Sequence, residues 1–481
     1  MKRTFLFGGS VPSTISHATR IEVELQVAIA EGICLHCDDK PSRPEGGEQL
    51  TVNDHELTPT GKGLDLSFLQ KPHEHDPRRT YSTTATDWQA RVDFDRMRRD
   101  RLARARMMMD KHDLGALVCF VGENIRYITG VFQGNWKNNI FIRYCVLPRD
   151  GDPVLFETAG SDLECAKIDA PWLGGNIRPA MTWKWAETAE EMMADKMVRS
   201  IQDVLSENGV TDEQVGIDIY DPSAAAAFER AGVKTTSAWP AMSKARVVKT
   251  PDELECLKIS SAIGDTSFWK IENEWLKPGV KESYITAKVN EYLYEQGFDF
   301  VYDIIVASGG NTSPYRRWHT DKVIREGDLV IVDQNAIGPG GYFVDFVRTF
   351  KVGNRWTAKE KDLYKECYES MYAAIEMMKA GNTTADVAAK LPTYADDEFG
   401  TVTLQQFAHS IGLSLYEGMW ISRAYSLDYP VELEENMYFA AETFAGHPGL
   451  EQTVRLEENL LVTKDGPVIF TRHPFSDEAL A

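Results

Sequence analysis

Four acids and one histidine in the C-terminal half of this 481-residue chain stand where polar groups are costly, inside apolar runs of strand length. Asp333 closes Leu329-Val-Ile-Val-Asp333, and Asp345 interrupts Tyr342-Phe-Val-Asp-Phe-Val347. Glu442 follows Met437-Tyr-Phe-Ala-Ala441, Glu457 sits in Val454-Arg-Leu-Glu457, and His409 lies alone in Phe407-Ala-His-Ser-Ile-Gly412. A charge buried in a strand is destabilising by several kcal/mol unless it is paired or bound to a metal. Two carboxylates in contact need a cation between them. Oxygen-rich ligation with one imidazole suits Mn, Fe, Co or Zn. Taken singly, each residue also has a structural reading: Asp333 finishing a strand at a turn, Glu457 paired with Arg455, His409 as a satisfied core histidine.

The elements that must position these groups follow from the same stretch. Residues 327–335 and 337–350 read as a β-hairpin with a Gly/Pro turn, so folding back can bring Asp333 and Asp345 to one spot. Around it, Lys249-Thr-Pro-Asp-Glu253 is a helix start, with Thr or Asp as cap and Pro in the first turn. That helix is expected to run to about residue 275, followed by a second over 282–296. Strands over 300–308, 329–333 and 342–350, helices over 358–378 and 384–391, and a strand-rich end over 437–470 complete an α+β domain. Upstream, helical spacing over 94–112, a strand-length run at 115–121, and further runs at 144–148, 153–156 and 215–219 describe an α/β domain ending near Arg246. Residues 38–87 are rich in Asp, Glu, Lys, Pro, Gly and Thr, which reads as an extended arm.

Bulk composition narrows the partners. A chain this long splits into domains, and 43% hydrophobic residues can fill two cores. Acids outnumber bases 73 to 52, a net charge of −21, which repels nucleic acid and anionic membranes and leaves a small-molecule substrate as the expected partner. No stretch approaches a membrane span, and the apolar run after the basic start is too short for a secretory signal, so a cytoplasmic location is expected. Seven scattered cysteines fit a reducing compartment; the pair Cys34 and Cys37 lacks the second half that a zinc site requires.

In the order Asp333, Asp345, His409, Glu442, Glu457, the candidates resemble the metal-ligand set of the creatinase/aminopeptidase, or pita-bread, superfamily. The segments Gly327-Asp-Leu-Val-Ile-Val-Asp333, Gly341-Tyr-Phe-Val-Asp-Phe-Val-Arg-Thr349 and His409-Ser-Ile-Gly412 carry the resemblance, with Asn124-Ile-Arg-Tyr-Ile-Thr-Gly130 and Lys244-Ala-Arg-Val-Val-Lys249 as landmarks of the first domain. It implies an α/β creatinase-like N-terminal domain over 88–246 and an α+β pita-bread catalytic domain over 247–481, and it leaves residues 1–87, the extension that carries the arm, unexplained. It also implies two divalent transition-metal ions (Fe, Mn, Co or Zn) held by those five residues, and a homodimer.

The chain departs from the peptidases of that superfamily at two imidazoles, replaced here by Tyr315 and Tyr416. Those imidazoles contact the substrate and stabilise the tetrahedral intermediate, work a tyrosine does weakly. His319 and Glu417 are the nearby groups that could supply a donor or a base. The dimethylsulfoniopropionate lyase branch resembles the chain in replacing the upstream histidine by an aromatic and in an aromatic and amide cluster. Here that cluster offers Trp136, Asn139 and Arg143, which could hold a cation over the indole and a carboxylate on the guanidinium, or form a domain contact. Two further positions differ from that branch: a metal-binding Asp is Asn335, and a proposed catalytic Asp is Leu415. Three readings stay open: lyase-type cleavage of a small carboxylate, metal-dependent C–N hydrolysis, and a non-catalytic binding protein on the same scaffold.

Overall fold

The computed structural model describes residues 91–132, 140–180, 182–353, 355–393, 406–446 and 451–481. The arm read over residues 1–87 lies outside them.

The first domain is a six-stranded mixed sheet. Its strands are β1 (Ala116–Cys119), β2 (Tyr144–Pro148), β3 (Val154–Glu157), β4 (Ile177–Pro179), β5 (Val215–Ile217) and β6 (Thr235–Ser237), in the order β4-β3-β2-β1-β5-β6. Antiparallel pairing of β1 with β2 and parallel pairing of β1 with β5 make this an α/β layer, with β1, β2 and β3 buried on both faces. Such strands read as continuous apolar runs, which is why they were visible in the sequence. Helix α1 (Phe94–Lys111) starts where the Asp93 side chain accepts a hydrogen bond from the backbone of Arg96. Helix α2 (Gly122–Thr129) ends on the left-handed Gly130, a conformation that favours glycine.

Helix α3 (Trp239–Val247) leads into α4 (Pro251–Lys270). Thr250 and Glu253 form a reciprocal capping box at the start of α4, and a π-helical turn over Ile271–Trp275 finishes it. After α5 (Glu282–Glu295), strands β7 (Phe300–Ser308), β8 (Leu329–Ile337) and β9 (Phe343–Lys351) form a three-stranded antiparallel sheet. The second sheet comes from β10 (Gln406–Ser410), β11 (Trp420–Ser422), β12 (Tyr438–Ala445), β13 (Val454–Val462) and β14 (Pro467–Ile469), ordered β11-β10-β12-β13-β14. This is the α+β pita-bread layout, and β8 corrects one expectation: the strand runs four residues past Asp333, so Asp333 is central in it.

The two sheets meet along β9 and β13 through side chains. The Asn459 amide accepts from the Asp345 backbone at 3.2 Å and donates back to its carbonyl. The Thr349 hydroxyl bridges to Arg455 in the same two-way manner at 2.7 and 3.1 Å. Arg348, fully buried, donates to the Glu457 carbonyl at 2.6 Å and to the Glu458 carboxylate at 3.0 Å. One apolar core runs through both domains, joining Phe94, Met97, Leu117 and Ile125 to Tyr342, Phe343, Ile411 and Tyr438. Among the described residues no helix is long and apolar enough to cross a membrane.

Candidate metal centre

Strand register alone brings the candidates together. Asn335 pairs with Asp345 across β8 and β9, and side chains alternate along a strand, so Asp333, Asn335 and Asp345 share one face. In the other sheet His409 pairs with Ala440 and Glu442 pairs with Glu457, which puts His409, Glu442 and Glu457 on one face as well. The bridges between β9 and β13 turn these faces toward a common point. There Asp345, His409 and Glu457, all buried, each offer a ligand atom within 4.8 Å of the others. The His409 imidazole stands 3.2 Å from Asp345 and meets the Tyr416 ring edge-on at 4.7 Å between centroids.

Asp333 and Glu442 flank this trio and are engaged by neighbours. Asp333 accepts from the Asn335 amide at 2.6 Å and from the Tyr315 hydroxyl at 2.9 Å. Glu442 is ion-paired to Arg455 and accepts from Gln406 at 2.5 Å. The structure therefore brings three of the five candidates into mutual reach and sets the other two beside them. The pairing of Glu457 with Arg455 suggested by sequence proximity is not formed, because Arg455 reaches Glu442 on the adjacent strand instead.

Electrostatics give the cluster its chemical character. Burial pushes Glu457 well above the ordinary carboxylate range, and the Asp345 and Asp333 charges add to this against Arg455 and Arg317. Asp333 is raised for the same reasons, burial first and Asp345 second. Glu442 and Glu457 face each other directly across β12 and β13, a like-charge pair that destabilises a sheet by itself. The buried Nδ1 of His409 and Oε1 of Glu457 have no hydrogen-bond partner among the described residues. A divalent cation answers all of these: it accepts imidazole and carboxylate together and relieves the repulsion. The donor set thus fits a metal, and Asp345, His409 and Glu457 are the residues that would hold it first.

Tyr315 occupies a place read as a lost imidazole, and its hydroxyl orients Asp333. Burial, then the Asp333 charge, keep that hydroxyl well above its ordinary range, so it stays protonated and donates. Supporting hydrogen bonds of this kind tune metal affinity. Tyr315→Phe is expected to weaken divalent-metal affinity about tenfold, as measured by competition with a chelator; unchanged affinity would show that Asp333 needs no such support.

Three candidates are not part of the converging group. Glu417 is buried with its carboxylate turned to Arg246, at 2.6 Å, and to Lys249. Against burial, Arg246 and Lys249 hold it down to about 2, so its carboxylate is committed to two cations. Arg143, 1% exposed, pairs with Glu157 at 3.0 Å inside the first domain. His319 stacks on Trp318 at 5.1 Å and is absent from the ligand group. Leu415 packs on the core shared by the domains. Trp136 and Asn139 lie outside the described residues.

Sequence reading missed two charged groups beside the cluster. Asp303, half-buried on β7, pairs in register with Asn335 and so shares the face of Asp333. Burial, with Asp333 next, raises it to about 6. Arg317 lies exposed on the turn after Tyr315; partial burial lowers its basicity, but Asp333 and the Tyr416 and Tyr315 hydroxyls outweigh this. For Asp303 the signal was present, an acid interrupting the apolar run of residues 300–308 as the other four interrupt theirs.

Residues 101–248 match the model of the creatinase/prolidase N-terminal domain, and residues 255–464 match that of metallopeptidase family M24. The chain belongs to the creatinase/aminopeptidase superfamily and is an enzyme of the M24 family. Among particular relatives, it is 24% identical over 411 residues to the dimethylsulfoniopropionate lyase DddP of Roseovarius nubinhibens, covering 82% of this chain and 90% of that protein. It is 30% identical over 231 residues to the Xaa-Pro dipeptidase of Lactobacillus helveticus, which covers 47% of this chain and 60% of that protein. The structure of an Xaa-Pro dipeptidase from Bacillus anthracis superposes with a TM-score of 0.64 at 23% identity, covering 79% of this chain and 98% of that one.

Proposed function

We propose that this protein is a dinuclear-metal enzyme that cleaves a small carboxylate-containing substrate other than a peptide, by lyase-type chemistry. The observation that carries the reading is the pair of tyrosines at the centre, Tyr315 on Asp333 and Tyr416 against His409, where peptide-cleaving members of the superfamily carry imidazoles. The long match to a dimethylsulfoniopropionate lyase, against half-length matches to dipeptidases, supports it. Metal ions in such a site supply Lewis acidity toward a substrate oxygen. The chain's own residues fix the ligands through the strand register, keep a neutral Tyr315 donor on Asp333, and place the Tyr416 and Arg317 side chains at the rim.

A second reading, hydrolysis of a C–N bond, is favoured by one observation: the commitment of Glu417 to Arg246 and Lys249 removes the base that elimination would have drawn from it. The test separates the two. Iron- or manganese-loaded protein incubated with dimethylsulfoniopropionate is expected to produce acrylate, followed by proton NMR against a metal-free control. No acrylate at high enzyme concentration, with release of free amino acids from glycylproline, would replace the lyase reading by the hydrolase.

A further inference from the structure

The loop that carries Tyr315 between β7 and β8 is gathered at its base by a carboxylate that neither reading uses. Glu282, the first residue of α5, is fully buried. Its Oε1 accepts from the Ser308 backbone at 2.8 Å and the Ser308 hydroxyl at 2.7 Å, at the end of β7 where the loop leaves. Its Oε2 accepts from the Thr320 backbone at 2.9 Å and the Thr320 hydroxyl at 2.5 Å, where the loop returns. The Asn311 amide spans both oxygens at 3.0 and 3.2 Å and reaches the Thr320 hydroxyl at 3.2 Å. All of these donors lie on the 308–320 segment and none on α5, so the side chain does not cap its own helix; it ties the two roots of a loop together.

The segment between those roots leads to the metal centre in a few contacts. Arg316 donates its backbone N–H to the Asn311 carbonyl at 2.9 Å, and a β-bridge joins Thr312 to Tyr315. The Tyr315 hydroxyl then meets Asp333 at 2.9 Å. Thr312 also accepts from the backbone of Thr453 at 3.0 Å, the residue before β13, which carries Glu457. Residues 316–318 are exposed, so the loop is anchored at its roots and open at its tip. A buried carboxylate surrounded by neutral donors is a costly way to add stability. An all-acceptor group is required only where every neighbour is a donor, and there it fixes geometry.

We infer that Glu282 is a positioning residue of the metal centre: by holding both roots of the 309–320 loop it sets where the Tyr315 hydroxyl stands, and through that hydroxyl the orientation of the Asp333 carboxylate. This rests on the metal centre and is independent of which bond the enzyme cuts. Glutamine at this position would turn an amide N–H toward one of the donors and release that root.

Competition between the full chain and a chelator for manganese tests the inference in a double-mutant cycle with Tyr315→Phe. Glu282→Gln alone is expected to lower manganese affinity by about tenfold, the scale of hydrogen bonds that support a metal ligand. In the Tyr315→Phe background the same change is expected to lower it by less than about twofold, because the contact it serves is already gone. A general loosening of the fold would instead lower affinity equally in both backgrounds. Thr320→Val removes one donor from the carboxylate and keeps the branched shape; it is expected to give a smaller loss with the same dependence on Tyr315, and it carries the test if Glu282→Gln does not fold. Unchanged affinity in these variants, or an equal loss with and without the Tyr315 hydroxyl, would overturn the inference. Wild-type protein that binds no manganese would overturn the metal centre and the inference together.

Discussion

Replacing His409 by alanine is expected to lower divalent-metal affinity by more than about 100-fold, beyond the loss typical of supporting residues around a metal, and to take activity to the metal-free level. His409 is the one imidazole among the three side chains that converge within 4.8 Å, and the two that remain are carboxylates. Metal content after dialysis, by plasma mass spectrometry, reads the first effect; full occupancy in His409→Ala would overturn the site. The same cluster sets the pH response of the metal-free protein. Glu457, Asp333 and Asp303 are all raised in the folded state, Asp303 to about 6. The folded chain therefore holds protons that the unfolded chain has released. Their contribution is present below the ordinary carboxylate range and is lost as pH rises through the folded values. Metal replaces those protons, so the gain in melting temperature on adding manganese is expected to be larger near pH 7.5 than near pH 5.5. A gain that shrinks as pH rises would contradict the electrostatic account.

The second large effect belongs to Glu417. Glu417→Gln leaves Arg246 and Lys249 buried without their counter-ion, and breaking such a pair is destabilising by about 3–5 kcal/mol. Arg246 also donates to Asn124 at 2.8 Å, and Asn124 donates to Asp218 at 2.9 Å, so the change is felt through the first domain. A urea-denaturation midpoint reads the loss. Because Glu417 is held down to about 2, its contribution is present above the unfolded carboxylate value and is lost as pH falls toward about 2. A variant of wild-type stability that lacks turnover would return Glu417 to the role of base.

The two charged anchors show where sequence reading stopped. Polar residues that break apolar strands were legible because burial makes them costly, and the period of two then fixed which shared a face. The hairpin carrying Asp333 and Asp345, the capped helix at Thr250 and the alternation of helix and strand in the first domain were legible for the same local reasons. Partners far along the chain were not. Glu417 lies about 170 residues from the cations that claim it, and Arg143 meets its partner Glu157 only once β3 is laid beside β2. Arg455 was two positions from Glu457, yet alternation along β13 and the neighbouring β12 gave it to Glu442.

The turn of the catalytic hairpin is gripped from the other domain. Arg101 of α1 donates to the Tyr342 hydroxyl, which in turn donates to Glu253 at 2.5 Å at the head of α4. Gly341, at φ +89°, has no side chain because the Arg126 guanidinium of α2 occupies that space. The loop that spaces the two aspartates is therefore shaped by residues more than 200 positions upstream of it. In evolutionary terms the first domain is not an interchangeable module. A lineage that altered α1 or α2 to acquire a new interaction would shift the aspartates with them, so drift in the first domain and chemistry in the second are inherited together.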